Sequence, residues 1–425
     1  MLLCIIGNVI WTLAAASLAI AATCAKMCVR KEWRDMSDND RHHFIAAIQT
    51  MRNKPSRRGQ ASLYHDFTDI HASNVNSVHH NRFFLVWHRE FLARFEAELQ
   101  KIDASVCLPY WDTGFDGQHP LYNNLLIGNA PTCAGTKSPN PNGAGYCIPD
   151  GFCAYWQNSN KDCLVRSYNP STIQFRDNTV YATLIQNSAS YDALSDGLAA
   201  AHDLVHAQLG GTMSNGSPGD MYMVTKSSND IMFYFHHANV DRIWWRWQKQ
   251  NPQRGGRNSS TAYSVGYSTS EVMPEWGFSV YNSLMGDDGT VIPDGSKRQY
   301  CSQYQTFSQT GRNSNNARRE ELEARDGKFR THHCLSREPL GSGKHPKTVT
   351  RRVIPIVSDH WIAVNADSLG MNRTALKNKV RSSEARLDRI IRHFDEDLDE
   401  YLFANEEANY DRAYHHVVQN WKHPL

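Results

Sequence analysis

The residues best suited to do chemistry in this sequence are histidines. His79 and His88 stand nine apart in HHNRFFLVWHREFLARFE, with Phe84 and Trp87 between them to exclude water. His202 and His206 lie in AHDLVH, at a spacing that puts both imidazoles on one helix face and within reach of one ion. In NDIMFYFHHANVDRIWWRW, His237 comes one helical turn before Asp241, from where a carboxylate could fix a ligand's orientation. A lone His beside Phe or Trp is more often a packing residue. Two separate aromatic-flanked groups point instead to a metal centre. Imidazole-only ligation favours copper, zinc, iron or nickel over calcium or magnesium. No glutamate lies beside the paired histidines as an H-E-x-x-H protease requires.

Helices must position these rings. Ser37 followed by Asp40 resembles a capping box that opens a helix through Phe44, Ile45, Ile48 and Met51. A second helix is expected from Phe84 to Lys101, with Phe91, Leu92, Phe95 and Leu99 on one face. A third surrounds Leu198 to Leu209 and closes at Gly210-Gly211, and a fourth spans Ile231 to Gln250. Long Pro, Gly, Asn and Ser loops connect them. The expected fold class is mainly α, a four-helix bundle with long disulfide-stabilised loops and a C-terminal extension.

The chain has 425 residues, 40% hydrophobic and 21% charged, which reads as globular. Lys+Arg 45 against Asp+Glu 43 gives a net charge of +2, so nothing in the bulk charge calls for nucleic acid. Gly343-Lys344 is followed by His345 and lacks the upstream glycine of a P-loop. Residues 1–22 are uncharged and end in small residues, the pattern of a signal peptide cleaved between Ala21 and Lys26. The expectation is a secreted protein with no membrane association once the signal is removed. A membrane anchor is the rival. Lys26, Arg30 and Lys31 would then hold the body in the cytoplasm, which fits poorly with 10 Cys. Cys4 leaves with the signal, and Cys24 depends on the cleavage point. Cys28, Cys107, Cys133, Cys147, Cys153, Cys163, Cys301 and Cys334 then form an even set for disulfides. Zinc is the rival for the four at 133–163, but no C-x2-C pair occurs there. Asn215, Asn258 and Asn372 head glycosylation sequons that matter only with export.

At these residues the sequence resembles the type-3 copper proteins: tyrosinases, catechol oxidases and mollusc haemocyanins. One signature is met by His79, Phe84, Trp87, His88, Arg89, Leu92 and Glu96, and another by Asp230, Phe233, His237 and Asp241. Leu108-Pro109-Tyr110-Trp111-Asp112 matches a third segment of the family. The opening CVRKEWRDMS looks like that of secreted invertebrate tyrosinases, notably those of molluscs and worms. The resemblance covers about Cys28 to Gln250. It implies two copper ions, one held by His79, His88 and an upstream histidine, the other by His202, His206 and His237. Tyr64-x-x-Phe67-x3-His71 fits the family's pattern and selects His71, with His65 as the rival. His80 and His236 are expected to be neighbours rather than ligands. The bundle then becomes a dicopper core.

Three positions depart from the family. Ile231 replaces a proline, the stretch from His206 to His237 is longer than usual, and Ser77 stands where many relatives carry a thioether-forming Cys. The resemblance implies O2-dependent hydroxylation of monophenols and oxidation of o-diphenols to o-quinones. The substrates would be small phenols or protein tyrosines, in pigmentation (melanin) or matrix cross-linking. A phenol has a pKa near 10 and must lose its proton to bind as phenolate. Asp203, where many tyrosinases carry Asn, is the candidate catalytic base, directly or through water; the alternative is that it only orients a histidine. An O2 carrier sharing all six ligands, a diphenol-only oxidase and a zinc-loaded relative are rival readings.

The expected organisation is a signal peptide at 1–22, a tyrosinase copper-binding domain at 23–305 and an extension at 306–425. The extension holds a polar linker (308–347) with Arg318-Arg319, then a helix from Ser383 through Leu387, Ile391, Phe394, Leu398 and Leu402. This tail is expected to pack on the core or a partner, or to cap the site as in latent relatives, with the dibasic pair as a processing point.

Overall fold

Several helices of this chain start where the sequence supplies a side-chain cap. Ser37 Oγ accepts from Asp40 N at the head of α1 (Asp38–Asn53), as expected. Then follow α2 (Leu63–Val78), α3 (Phe84–Gln100) and α4 (Thr113–Gln118). Further along come α5 (Asn178–Asn187), capped by Asp177, α6 (Tyr191–Gly210), capped by Ser190, and α7 (Ile231–Gln250), capped by Asp230. The C-terminal part adds α8 (Asp359–Asn365) and α9 (Arg373–Ala404). The computed structural model describes residues 26–118, 128–129, 131–138, 147–169, 172–213, 216–256, 259–284, 300–305 and 356–404. Residues 1–22, expected to be a signal peptide, together with Cys24, Cys334, Asn215, Asn258, the expected linker at 308–347 and the side chains of Cys301, Ile391, Phe394, Leu398 and Leu402, lie outside the described residues.

The fold is mainly α, but the helices of the core are not quite the expected set. α2 was not foreseen as a helix, although Leu63, Tyr64, Phe67, Ile70 and His71 keep a helical spacing and are all buried. It joins α3, α6 and α7 around the histidines, and α1 packs outside against α2 and α3. α6 starts seven residues before Leu198, because Ser190 caps it and Leu194 extends its apolar face. α9 likewise starts at Arg373, ten residues before Ser383, with Leu376 and Val380 buried ahead of Leu387. Ile231 causes no break in α7. It sits buried at the first helical position while the Asp230 side chain accepts from Met232 N.

A short parallel pair, β1 (Lys26–Arg30) with β2 (Tyr300–Tyr304), sets Arg30 opposite Tyr304. Arg30 reaches into the core and pairs with Glu96 at 2.9 Å and Asp241 at 3.4 Å. Arg89 Nε meets the other oxygen of Asp241 at 2.5 Å, and the Tyr304 hydroxyl donates to Asp241. Asp241 therefore does not orient a histidine as its spacing suggested. Its carboxylate turns to two buried guanidiniums that approach from β1 and α3. Leu108 N donates to Glu96 at 2.7 Å and Trp111 N to Phe235 O at 3.1 Å, which gives the Leu108–Asp112 segment its place.

Disulfides Cys28–Cys107 and Cys147–Cys163 tie β1 to that segment and close the loop before α5. Cys133 is also disulfide-bonded. Cys153 breaks the even set, because it is a fully buried free thiol whose pKa is raised by burial. The group of Cys28, Cys107 and Glu96 is thus a disulfide beside an ion-paired carboxylate and not a metal site. Removing the Asp241 carboxylate leaves Arg30 and Arg89 short of a buried counter-charge. Asp241→Ala is expected to cost about 3–5 kcal/mol in urea unfolding, with a loss under 1 kcal/mol contradicting the network's role.

Candidate metal centre

His71 on α2, His79 just beyond its end and His88 on α3 offer nitrogens all within 4.8 Å of one another. Their ring centroids lie 5.2, 4.8 and 5.7 Å apart. His65, the rival first ligand, is occupied elsewhere: Nδ1 meets Ser62 Oγ at 2.8 Å and Nε2 meets Gln157 O at 2.9 Å. His71 has neither ring nitrogen hydrogen-bonded.

The second group lies on α6 and α7. His202 Nε2 is 3.0 Å from both His206 Nε2 and His237 Nε2, and the latter two are 3.3 Å apart. Three nitrogens about 2.0–2.1 Å from a shared ion stand roughly 3.0–3.4 Å apart, so this triangle has the size of a ligand set. His236 also offers a nitrogen within 4.8 Å of those of His202 and His206. The two groups face each other, with the His88 and His237 rings 4.4 Å apart and His79 and His202 6.2 Å apart. Phe233 lies between them, 4.6 Å from His71 and 4.1 Å from His237.

The outer nitrogens show why the inner ones point inward. His79 Nδ1 donates to Val75 O at 2.9 Å, His88 Nδ1 to Phe84 O at 2.7 Å and His206 Nδ1 to Met221 O at 3.0 Å. His202 Nδ1 is 3.1 Å from Asp203 Oδ1. With the proton held at Nδ1, each Nε2 keeps a lone pair for a cation. The three carbonyls could not be found from sequence, because every residue carries one. Asp203 also approaches His80, whose Nε2 is 3.3 Å from Oδ2. His80 itself joins neither group.

Burial drives these imidazoles towards the neutral form, which is the ligating one. His79 falls to about 4, while His206 and His80 each fall to about 3. His71, His88, His202 and His237 drop well below 6.5, burial first and neighbouring imidazoles second. Six buried rings with unshared lone pairs fit a pair of borderline-soft cations, and the donor set suits copper.

Comparison with known proteins agrees. The common central domain of tyrosinase matches residues 61–250. A tyrosinase-like protein of Diaporthe leptostromiformis is 30% identical over 295 residues, 60% of this chain and 75% of the relative. The chain belongs to the tyrosinase family of type-3 copper proteins. A tyrosinase of Streptomyces glaucescens is 28% identical over 255 residues, covering 54% of this chain and 85% of the relative. A polyphenol oxidase from Thermothelomyces thermophila shares the fold, with a TM-score of 0.50 at 18% identity over 67% of this chain and 91% of its own. The two histidine groups are accordingly those of a tyrosinase-family binuclear copper site.

The lowered pKa values fix how acid acts on the metal-free protein. Unfolded histidines take up protons near 6.5, whereas buried His79 and His206 resist until about 4 and 3. Between these limits the unfolded chain binds more protons, so stability is full above 6.5 and falls as pH drops. The metal-free melting temperature should decline from pH 6.5 to 4; a flat profile would contradict neutral buried rings.

Proposed function

We propose that this tyrosinase-family protein is a dicopper oxidase that uses O2 to hydroxylate monophenols and to oxidise o-diphenols to o-quinones. The observation that carries the reading is the pair of facing imidazole groups, in which main-chain carbonyls fix the outer nitrogens of His79, His88 and His206. His71, His79, His88, His202, His206 and His237 would hold the two copper ions, which would supply the redox chemistry with O2. The protein's own share is to keep the rings neutral and oriented, and to wall the site with Phe84 and Phe233 against water. The substrates proposed are small phenols or protein tyrosines, in pigmentation or matrix cross-linking. Disulfides persist in oxidising compartments, so Cys28–Cys107 and Cys147–Cys163 support the proposed secretion. With export, exposed Asn372 becomes a proposed glycosylation site. Among the described residues no helix is long and apolar enough to cross a membrane.

Asp203 is proposed to take the phenol's proton. One of its oxygens is engaged by His202 and the other lies 3.3 Å from His80 Nε2. Burial and the nearby Glu384 raise its pKa well above 3.8, so the ionised carboxylate is a stronger base. Copper-reconstituted protein should oxidise both tyrosine and DOPA, and Asp203→Ala should depress tyrosine hydroxylation by ~10²-fold more than DOPA oxidation. Reversible O2 binding without turnover would overturn the enzyme reading. An unchanged ratio of the two activities would remove Asp203 as the base and leave it the task of orienting His202.

His237, rather than adjacent His236, is proposed to complete the second copper site, because its Nε2 closes the triangle with His202 and His206. Copper content separates the two. His237→Ala should bind one copper per chain and His236→Ala two, whereas the reverse would assign the ligand to His236.

A further inference from the structure

The C-terminal segment is braced against the main chain that sets the histidines. Asn365, fully buried at the end of α8, donates from Nδ2 to Tyr222 O at 3.0 Å. Its Oδ1 accepts from Val224 N at 2.9 Å. Tyr222 directly follows Met221, whose carbonyl fixes His206 Nδ1. On α9, half-buried Lys379 donates from Nζ to the carbonyl of His80. His80 follows His79 and has a φ of 51°, which a residue with a Cβ adopts only at a cost. Val75, whose carbonyl fixes His79 Nδ1, shares a buried cluster with Trp361, Leu376 and Val380. The main chain around one ligand of each copper group is thus held by side chains from the far end of the sequence.

On the dicopper reading above, we propose that Asn365 and Lys379 are positioning residues for the metal centre, bracing the main chain at Tyr222–Val224 and at His80 so that His206 and His79 stay set for copper. The segment at 357–380 is then a buttress whose loss releases metal. A removable cover would behave in the opposite way, since its loss would only open the site.

The test follows copper loss to a competing chelator from the copper-loaded full-length protein, well below its melting temperature. Asn365→Ala and Lys379→Met should lose copper ~10-fold faster than the wild type, the scale of an outer-shell contact. Lys379→Arg keeps a donor and should restore retention. Lys377→Ala should behave as wild type, because Lys377 shares the helix but pairs with exposed Asp359 at 2.7 Å. Melting of the metal-free variants separates the two roles: a merely structural contact lowers it and leaves copper loss unchanged. Should Asn365→Ala fail to fold, the Lys379 variants decide. Wild-type loss rates in Lys379→Met, or no rescue by Lys379→Arg, would overturn the inference. Wild-type protein that takes up no copper would instead overturn the dicopper reading on which it rests.

Discussion

Everything in this structure has to accommodate lone pairs that face one another in a dry interior. Three Nε2 atoms of the second group stand 3.0 to 3.3 Å apart, and their outer nitrogens are committed to Met221 O and Asp203 or left without a partner. Burial suppresses the protonation that would otherwise relieve the crowding. A cation that accepts all three lone pairs resolves the conflict. The fold must hold the rings in this arrangement before the cation arrives.

It does so by sending neighbouring residues of one helix to different partners. His88 points into the site while Arg89, the next residue, pairs with Asp241 on α7. α7 in turn carries His237 one turn before Asp241. The same carboxylate meets Arg30 from β1, and Arg30 reaches back to Glu96 on α3. The charge cluster thus fixes the register of the two helices that bring His88 and His237 to 4.4 Å. At the head of α7, Arg166 grips Asp230 through two 2.6 Å contacts and binds Ala134 O and Gly135 O. The loops on that side are therefore anchored to the same helix. Each pair is buried, so its value lies more in specifying one arrangement than in net stability.

Part of this was legible in the sequence and part could not be. The pairing of His202 with His206 follows from helical periodicity, and the Phe84–Gln100 and Ile231–Gln250 helices from apolar spacing. His71 could be preferred to His65 only through the family resemblance. The physical reason, that Ser62 and Gln157 occupy His65, is a tertiary fact. Asp241 was misread because spacing along one helix cannot show which charges arrive from elsewhere. α8 and the early start of α9 were missed for a related reason. Trp361, Leu376 and Val380 bury against Leu204 and Ala207 of α6, more than 150 positions earlier, and no local pattern encodes that partnership. The carbonyls of Val75, Phe84 and Met221 left no trace in side-chain identity.

X-ray absorption at the copper edge, on protein whose metal content has been counted, tests the central claim most directly. Two coppers per chain, each surrounded by imidazole nitrogens at about 2.0 Å and by no sulfur, is the result these facing histidine groups require. A single copper per chain, or sulfur in the coordination shell, would contradict it.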